Sequence, residues 1–237
     1  MIFKRKIFFK DVDSTSDYLI RLDNKNCLDE GLVLVSDFQN KGRGRIGKKW
    51  HSDCGKNLLF SFLLKPTFIP VKKQFFLSMI SSIAIVDSLN KHLSEKINIK
   101  WPNDILINNK KIAGFLLDLS ISSNSIKRCV IGCGININQR QFPQLNDVTS
   151  IILMNNSVTE KKIVLDDFLH YFSKLYIDLK NEKYSEIKNK YLSVAKDLVF
   201  TKSVNGKKSE MQVLNISDEG VVSALINNVP QKLKNIF

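Results

Sequence analysis

Apolar positions recur along the chain with two periods, and the switches between them outline the fold. Residues 2–9 mix lysines with Ile and Phe in the manner of an edge strand. Asp13-Ser14-Thr15-Ser16 then offers several helix N-caps before Tyr18, Leu19, Ile20 and Leu22, which predicts a short helix. After Gly31, residues 32–38 form a nearly continuous apolar run suited to a sheet interior. A basic, glycine-rich loop covers 39–56. A second strong strand spans 57–65 and ends at Pro66 and Pro70. Residues 71–93 carry Phe76, Met79, Ile80, Ile83 and Val86 at helical spacing, so a long helix with one inward face is expected. Short strands follow at 97–101 and 104–107 around Pro102, then a turn at Asn108-Asn109 and a strand over 111–119. A polar turn at 120–125 leads into a strand over 128–138. Residues 159–179 read as an amphipathic helix with Ile163, Phe168, Phe172, Leu175 and Leu179 inward, and 182–192 continue helical. From about Leu198 the pattern changes to short β runs with turns at Asn205-Gly206, Asp218-Glu219-Gly220 and Asn227-Asn228. Together these predict an α+β protein: a mixed sheet with helices over 1–192, then a small barrel-like β domain over 193–237.

Composition narrows the class. The 237 residues, 43% of them hydrophobic, suffice for a substantial core without a covalent staple. Lysine and arginine exceed the acids by 13, so the surface attracts anions, nucleotides and acidic proteins among them. Most lysines outside 41–49 read as solvated surface. Cys129 and Cys133 lie in one strand-like run, about 13 Å apart at strand spacing, too far for a disulfide. With Cys27 and Cys54 they read as free thiols of a reducing compartment. His51, His92 and His170 form no ligand cluster. The N-terminal apolar stretch is too short for a signal peptide, and no run has the length of a membrane span, so a cytoplasmic protein is expected.

The most chemistry per residue lies in Gly42-Arg43-Gly44-Arg45-Ile46-Gly47-Lys48-Lys49-Trp50. It matches the G-x-G-x-x-G pattern in form and nearly matches a P-loop. Both motifs need the loop to open a helix whose N-terminus binds phosphate, and here the sequence runs into a strand. Position 49 is also Lys where a P-loop needs Ser or Thr. What remains is physical: glycines that let backbone N–H groups approach a ligand, two guanidinium forks and a flat indole. The loop alone is read equally well as a small-anion site or as a solvated surface.

Four further segments accompany it. Lys100-Trp101-Pro102-Asn103-Asp104, Lys111-Ile112-Ala113-Gly114-Phe115-Leu116, Gly132-Cys133-Gly134-Ile135-Asn136-Ile137-Asn138 and Asp13-Ser14-Thr15 stand in the chain. With the glycine loop they resemble, in order and spacing, the motifs of biotin–protein ligases, and Asp147-Val148-Thr149-Ser150 continues the likeness. The resemblance spans about residues 13–138. It implies a class II synthetase-like catalytic domain followed by an SH3-like β-barrel. It also implies an activity: ATP and biotin give biotinyl-5'-AMP, and biotin then passes to a lysine of a biotin carboxyl carrier protein of acetyl-CoA carboxylase.

Residue roles follow from the same resemblance. Ser14, Thr15 and Gln39 would hydrogen-bond the ureido head of biotin, although Ser14 and Thr15 are also helix caps by position. Gly42 belongs to the biotin-binding loop, and Gly114 and Gly132 would form pocket walls. Lys111 would meet the biotin carboxylate and the α-phosphate, with Arg43 and Arg45 closing over the same charges. Lys111 by itself would read as a turn residue beside Lys110. Trp50 would stack on adenine, and Asn103, Asp104 and Asn136 would lie beside the nucleotide and its Mg2+. Position 48 departs from the family pattern, with Lys in place of Arg. Larger relatives of this kind carry an N-terminal helix-turn-helix; this sequence starts almost at the catalytic domain, so specific DNA binding is not expected. The family also allows a homodimer through the sheet edge. The competing readings are a lipoate ligase or octanoyl transferase, a nucleic-acid-binding module using the basic loop, and an inactive paralogue.

Overall fold

The computed structural model describes residues 2–45, 47–143, 145–195, 199–204 and 207–233. The first half reads β1 (Arg5–Val12), α1 (Thr15–Asn26), β2 (Leu32–Gln39), β3 (Leu58–Leu64), α2 (Phe75–Leu89), β4 (Ile97–Lys100), β5 (Asp104–Ile107), β6 (Lys110–Ser122) and β7 (Ser125–Ile135). Then follow α3 (Ile151–Asn155), α4 (Lys161–Lys180), α5 (Tyr184–Ala195), β8 (Val199–Val204), β9 (Lys207–Ile216), β10 (Val222–Ile226) and β11 (Val229–Leu233).

Seven strands form one sheet in the order β1-β2-β3-β7-β6-β5-β4. The β1–β2 pair is parallel, with α1 as the crossover between them. The other pairs are antiparallel, so the sheet is mixed. The tight turns expected at Asn108-Asn109 and Asn227-Asn228 occur with positive φ at all four residues, as two-residue hairpin turns require. The polar turn near 120–125 is tighter than the sequence suggested: β6 runs on to Ser122 and only Ser123 and Asn124 turn.

Side chains alternate across the pleat, so each strand writes two faces. One face carries Val33, Phe60, Phe62, Ile131 and Ile135 against α2 and α4 in the main core. Phe62 packs its ring on Phe168 and Phe172 of α4, with centroids 5.7 and 4.8 Å away. The opposite face has a smaller cluster, in which Leu19 of α1 covers Leu34, Leu63 and Val130.

Two helix expectations need correction. The spacing in 71–93 suggested one inward stripe, but in α2 every residue from Phe75 to Leu89 except Asp87 is buried. The helix lies between the sheet and the α4–α5 layer, so it has no solvent face to mark. Two of its serines are satisfied locally, Ser81 and Ser82 donating to the carbonyls of Leu77 and Ser78 at 2.7 and 3.0 Å, and Ser88 donates across to Val164 O of α4 at 3.1 Å. Ile163, expected to point inward from α4, is exposed, while Val164 and Leu165 are buried. The first turn of α4 meets the core one residue later than the stripe implied.

The C-terminal β runs form an antiparallel ladder in the order β11-β10-β9-β8. Its Met211, Val213, Ile216, Val222, Ala224 and Ile226 join the main core cluster. Gly220 holds φ at 83° in a turn pressed against the ring of Phe75, where no side chain has room. The turn expected at Asn205-Gly206 lies outside the described residues. Among the described residues, no helix is long and apolar enough to cross a membrane. All four cysteines are free thiols; Cys129 and Cys133 are buried, and Cys27 and Cys54 are exposed.

Candidate active site

On the face that α1 only partly covers, the strands lose their bulk. Gly114 of β6 stands opposite Asp104 on one side and Gly134 of β7 on the other. Gly132 lies opposite Leu116 and Ser61. The small residues leave a cavity of about 530 Å³ above the sheet. Ser14, Thr15, Gln39, Arg43, Arg45, Trp50, Asn103, Asp104, Lys111, Gly114, Gly132 and Asn136 all line it. Gly42 does not; it lines an adjoining hollow of about 780 Å³ that shares Arg43, Arg45 and Asn103 with the first.

One end of the cavity is a knot of hydroxyls and an amide. Ser14 caps α1, its Oγ accepting the Asp17 backbone N–H at 3.3 Å. It also lines the cavity, so the capping and ligand-facing readings are compatible. Gln39, at the end of β2, accepts from both the backbone N–H and the hydroxyl of Thr15 at 2.7 and 2.9 Å. Thr15 Oγ1 and Ser16 Oγ each contact Ser61 Oγ, at 2.7 and 2.9 Å. A Cβ on Gly132 would overlap Ser16 Oγ.

The other end is charged. Lys111 Nζ meets Asp104 Oδ1 at 2.6 Å and lies 5.4 Å from the centre of the Trp50 ring. The backbone of Lys111 is fixed by the segment after β7: its N–H donates to Asp147 O at 2.8 Å, and its carbonyl accepts from Thr149 N at 2.9 Å. Asn103 is also fixed, donating from Nδ2 to Phe115 O at 2.7 Å, and its Oδ1 accepts from Arg45 at 3.4 Å. Burial holds the Arg45 guanidinium below its usual pKa, against the opposing pull of Asp104. Asn136 donates from Nδ2 to Thr149 O at 2.9 Å, and its buried Oδ1 has no hydrogen-bond partner. The buried Trp50 Nε1 likewise has none. Both atoms belong to cavity-lining residues, where a polar ligand could satisfy them.

Residues 42–45 and 47–50 pair as the two sides of a small hairpin flap. Trp50 N donates to Gly42 O at 3.0 Å, Gly44 N to Lys48 O at 2.6 Å, and Arg43 bridges Lys49. Gly47 holds φ at 72°, and Ile46 lies outside the described residues. No helix follows, as the sequence argument against both phosphate-loop motifs required. The Trp50 ring lies against Gly134, where a Cβ would collide with it. The flap is tied down by Arg43, which pairs with Asp17 of α1 at 2.9 Å and Asp118 of β6 at 2.7 Å.

Several residues that line the cavity or stand directly behind its lining escaped the sequence reading. Ser16 was read as a cap, and Ser61 shows in sequence only as a polar break in an apolar strand. Phe142, Leu145 and Val148 also line the cavity, and Val148 bridges Lys111 from the segment whose Asp147 and Thr149 hold that lysine. Of the three, only Val148 falls within the likeness at 147–150, to which the sequence assigned no role.

A family model described as the biotin/lipoate A/B protein ligase family matches residues 8–136. The chain is 32% identical over 239 residues to the bifunctional ligase/repressor BirA of Bacillus spizizenii, covering 98% of this chain and 72% of that protein. It is 25% identical over 155 residues to the biotin–[acetyl-CoA-carboxylase] ligase of Mycobacterium tuberculosis, covering 64% of this chain and 56% of that one. Among solved structures, the biotin protein ligase from Aquifex aeolicus in complex with biotin and ATP superposes with a TM-score of 0.82 at 30% identity, covering 98% of this chain and 97% of that chain.

Proposed function

This chain belongs to the biotin/lipoate A/B protein ligase family, and within it we propose an ATP-dependent biotin–protein ligase. The biotin carboxylate attacks the α-phosphorus of ATP, the bond to pyrophosphate breaks, and biotinyl-5'-AMP forms. A lysine amine of the carrier then attacks the acyl carbon, and AMP leaves. Both nucleophiles belong to substrates, so the enzyme needs no nucleophilic side chain of its own.

The observation that carries this reading is the polarity of one cavity. Its hydroxyl–amide end holds Ser14, Thr15 and Gln39, and its cationic end holds Lys111 and Arg45. Biotin has a polar ureido head, an apolar body and an anionic tail, and a buried ureido group needs such partners. We assign Ser14, Thr15 and Gln39 to the head and Gly114 and Gly132 to the walls. Lys111 would offset the repulsion between carboxylate and α-phosphate, and it would stabilise the charge that develops at phosphorus. Arg43, Gly42 and Arg45 form the flap that would shield the mixed anhydride from water. Trp50, Asn103, Asp104 and Asn136 would take the nucleotide. Mg2+ commonly binds through one or two carboxylates plus substrate phosphates. Asp104 is a fitting carboxylate for it, and the ion would neutralise phosphate charge. The acceptor we propose is the biotin carboxyl carrier protein of acetyl-CoA carboxylase, in the cytoplasm. We assign adenylation to residues 1–192 and treat 193–237 as an accessory β domain.

The test is exchange of labelled pyrophosphate into ATP. Exchange should require biotin and fall by about 10²–10³-fold in Lys111→Ala, as for loss of one donor to a developing oxyanion. Exchange supported by lipoate or octanoate, and not by biotin, would move the chain to the sister activity of its family.

A further inference from the structure

The direction of every hydrogen bond at the hydroxyl end of the cavity can be deduced. The Thr15 backbone N–H points at Gln39 Oε1 from 2.7 Å. A backbone N–H only donates, so that Gln39 atom is the carbonyl oxygen and not the amide nitrogen. The Thr15 hydroxyl, 2.9 Å from the same oxygen, must therefore donate its single proton to it. Thr15 Oγ1 then has only lone pairs for Ser61, 2.7 Å away, so Ser61 donates to Thr15. Ser61 has no proton left for Ser16, 2.9 Å away, so Ser16 donates to Ser61. The chain runs one way, from Ser16 through Ser61 and Thr15 to Gln39.

Its two ends face the cavity with opposite character. Ser16 Oγ has committed its proton inward and presents lone pairs. Gln39 has committed its oxygen and keeps both Nε2 protons. Ser14, whose Oγ accepts from Asp17 N, keeps its proton to donate. The cavity thus offers an acceptor beside donors. A cyclic urea offers the complement, N–H donors flanking a carbonyl acceptor, whereas a saturated acyl chain offers neither.

Ser61 sits at the middle of this chain and is not itself part of the cavity lining. It is fully buried, and it is the one polar residue of the strand Leu58–Leu64. We propose that Ser61 is a positioning residue that selects the ureido headgroup, by taking the Ser16 proton and so fixing Ser16 as an acceptor for a substrate N–H. The proposal rests on the biotin-ligase reading above. Without the Ser61 hydroxyl, Ser16 would be free to turn its proton into the cavity, donor against donor, and Thr15 would lose its donor.

The test is a double-mutant cycle on biotin affinity, read by titration calorimetry of the full chain, with ATP affinity and Tm measured alongside. Ser61→Ala should weaken biotin binding by about tenfold, the scale of one buried hydrogen bond. ATP affinity should stay unchanged. Ser16→Ala should weaken biotin binding similarly, and the double variant should be no worse than Ser16→Ala alone, because Ser61 acts through Ser16. Ser61→Thr returns the hydroxyl and should recover affinity. Additive losses, an unchanged biotin affinity in folded Ser61→Ala, or parallel losses of biotin and ATP binding with a lower Tm would each overturn the proposal. Wild-type protein that binds no biotin is a separate result, and it would overturn the ligase reading beneath it.

Discussion

The two faces of the seven-stranded sheet are written by alternate residues of the same strands, yet they are built on opposite principles. On β3, Phe60 and Phe62 point to the helices while Ser61 between them points to the cavity end of α1. On β7, Ile131, Cys133 and Ile135 alternate with Gly132 and Gly134. The helix face fills space with rings and branched chains. The other face leaves space and puts short polar groups or glycine where side chains would stand. Stability and binding are thereby separated by one residue along a strand, and a substitution should disturb one far more than the other.

The largest expected effect is on the filled face. Phe62→Ala removes a fully buried ring that contacts Phe3, Phe168 and Phe172. It should cost about 3–5 kcal/mol of stability, the usual range for such a truncation. Urea unfolding gives the number, and calorimetry on the folded fraction should return a wild-type biotin affinity. A variant equally stable but unable to bind biotin would break the division between the faces.

The reverse experiment uses Gly132→Ala. The added methyl would occupy the place of Ser16 Oγ, a short side chain that can rotate away. Ser16 would leave the hydroxyl chain, so biotin binding should weaken by about tenfold or more. The same unfolding measurement should move by no more than about 1 kcal/mol, because no ring is lost and Gly132 does not hold a positive φ. Equal losses in stability and binding would show that the open face is part of the core after all.

The same division governs what the sequence made legible. Strands, turns and the order of elements follow from local period and from residues such as Asn108 and Asn109, whose conformation is a neighbour-scale property. The family likeness brought twelve of the thirteen expected site residues to one cavity, with Gly42 in the adjoining hollow. Periodicity failed where burial does not vary around an element: α2 has no polar side to locate, so its stripe was drawn too narrow. It failed again at Ile163, because the first turn of α4 meets the core through Val164 and Leu165 and leaves Ile163 exposed. Ser61 and the partners of Arg43 were invisible for a different reason. A hydrogen bond or ion pair between residues far apart in the chain leaves no local pattern, and Asp118 stands 75 residues from Arg43.

That ion pair gives the smallest prediction, at the rim where the two principles meet. Arg43 is held between Asp17 and Asp118, and all three side chains are about a third exposed, at 38%, 36% and 32%. Exposed pairs of this kind contribute roughly 0–1 kcal/mol and are screened by salt. Asp118→Asn should therefore leave unfolding unchanged. The pair nevertheless ties the flap over the cavity, so even a fraction of a kcal/mol shifts the balance between closed and open flap. Release of labelled biotinyl-adenylate should speed up by about two- to fivefold in Asp118→Asn, the kinetic equivalent of roughly 0.4–1 kcal/mol. Raising the salt should speed release from the wild type and have little further effect on the variant. If release is unaffected by both the substitution and the salt, the flap is held by its hairpin bonds and by the seat of Trp50 on Gly134. The open face would then owe its closure to packing, as the filled face does.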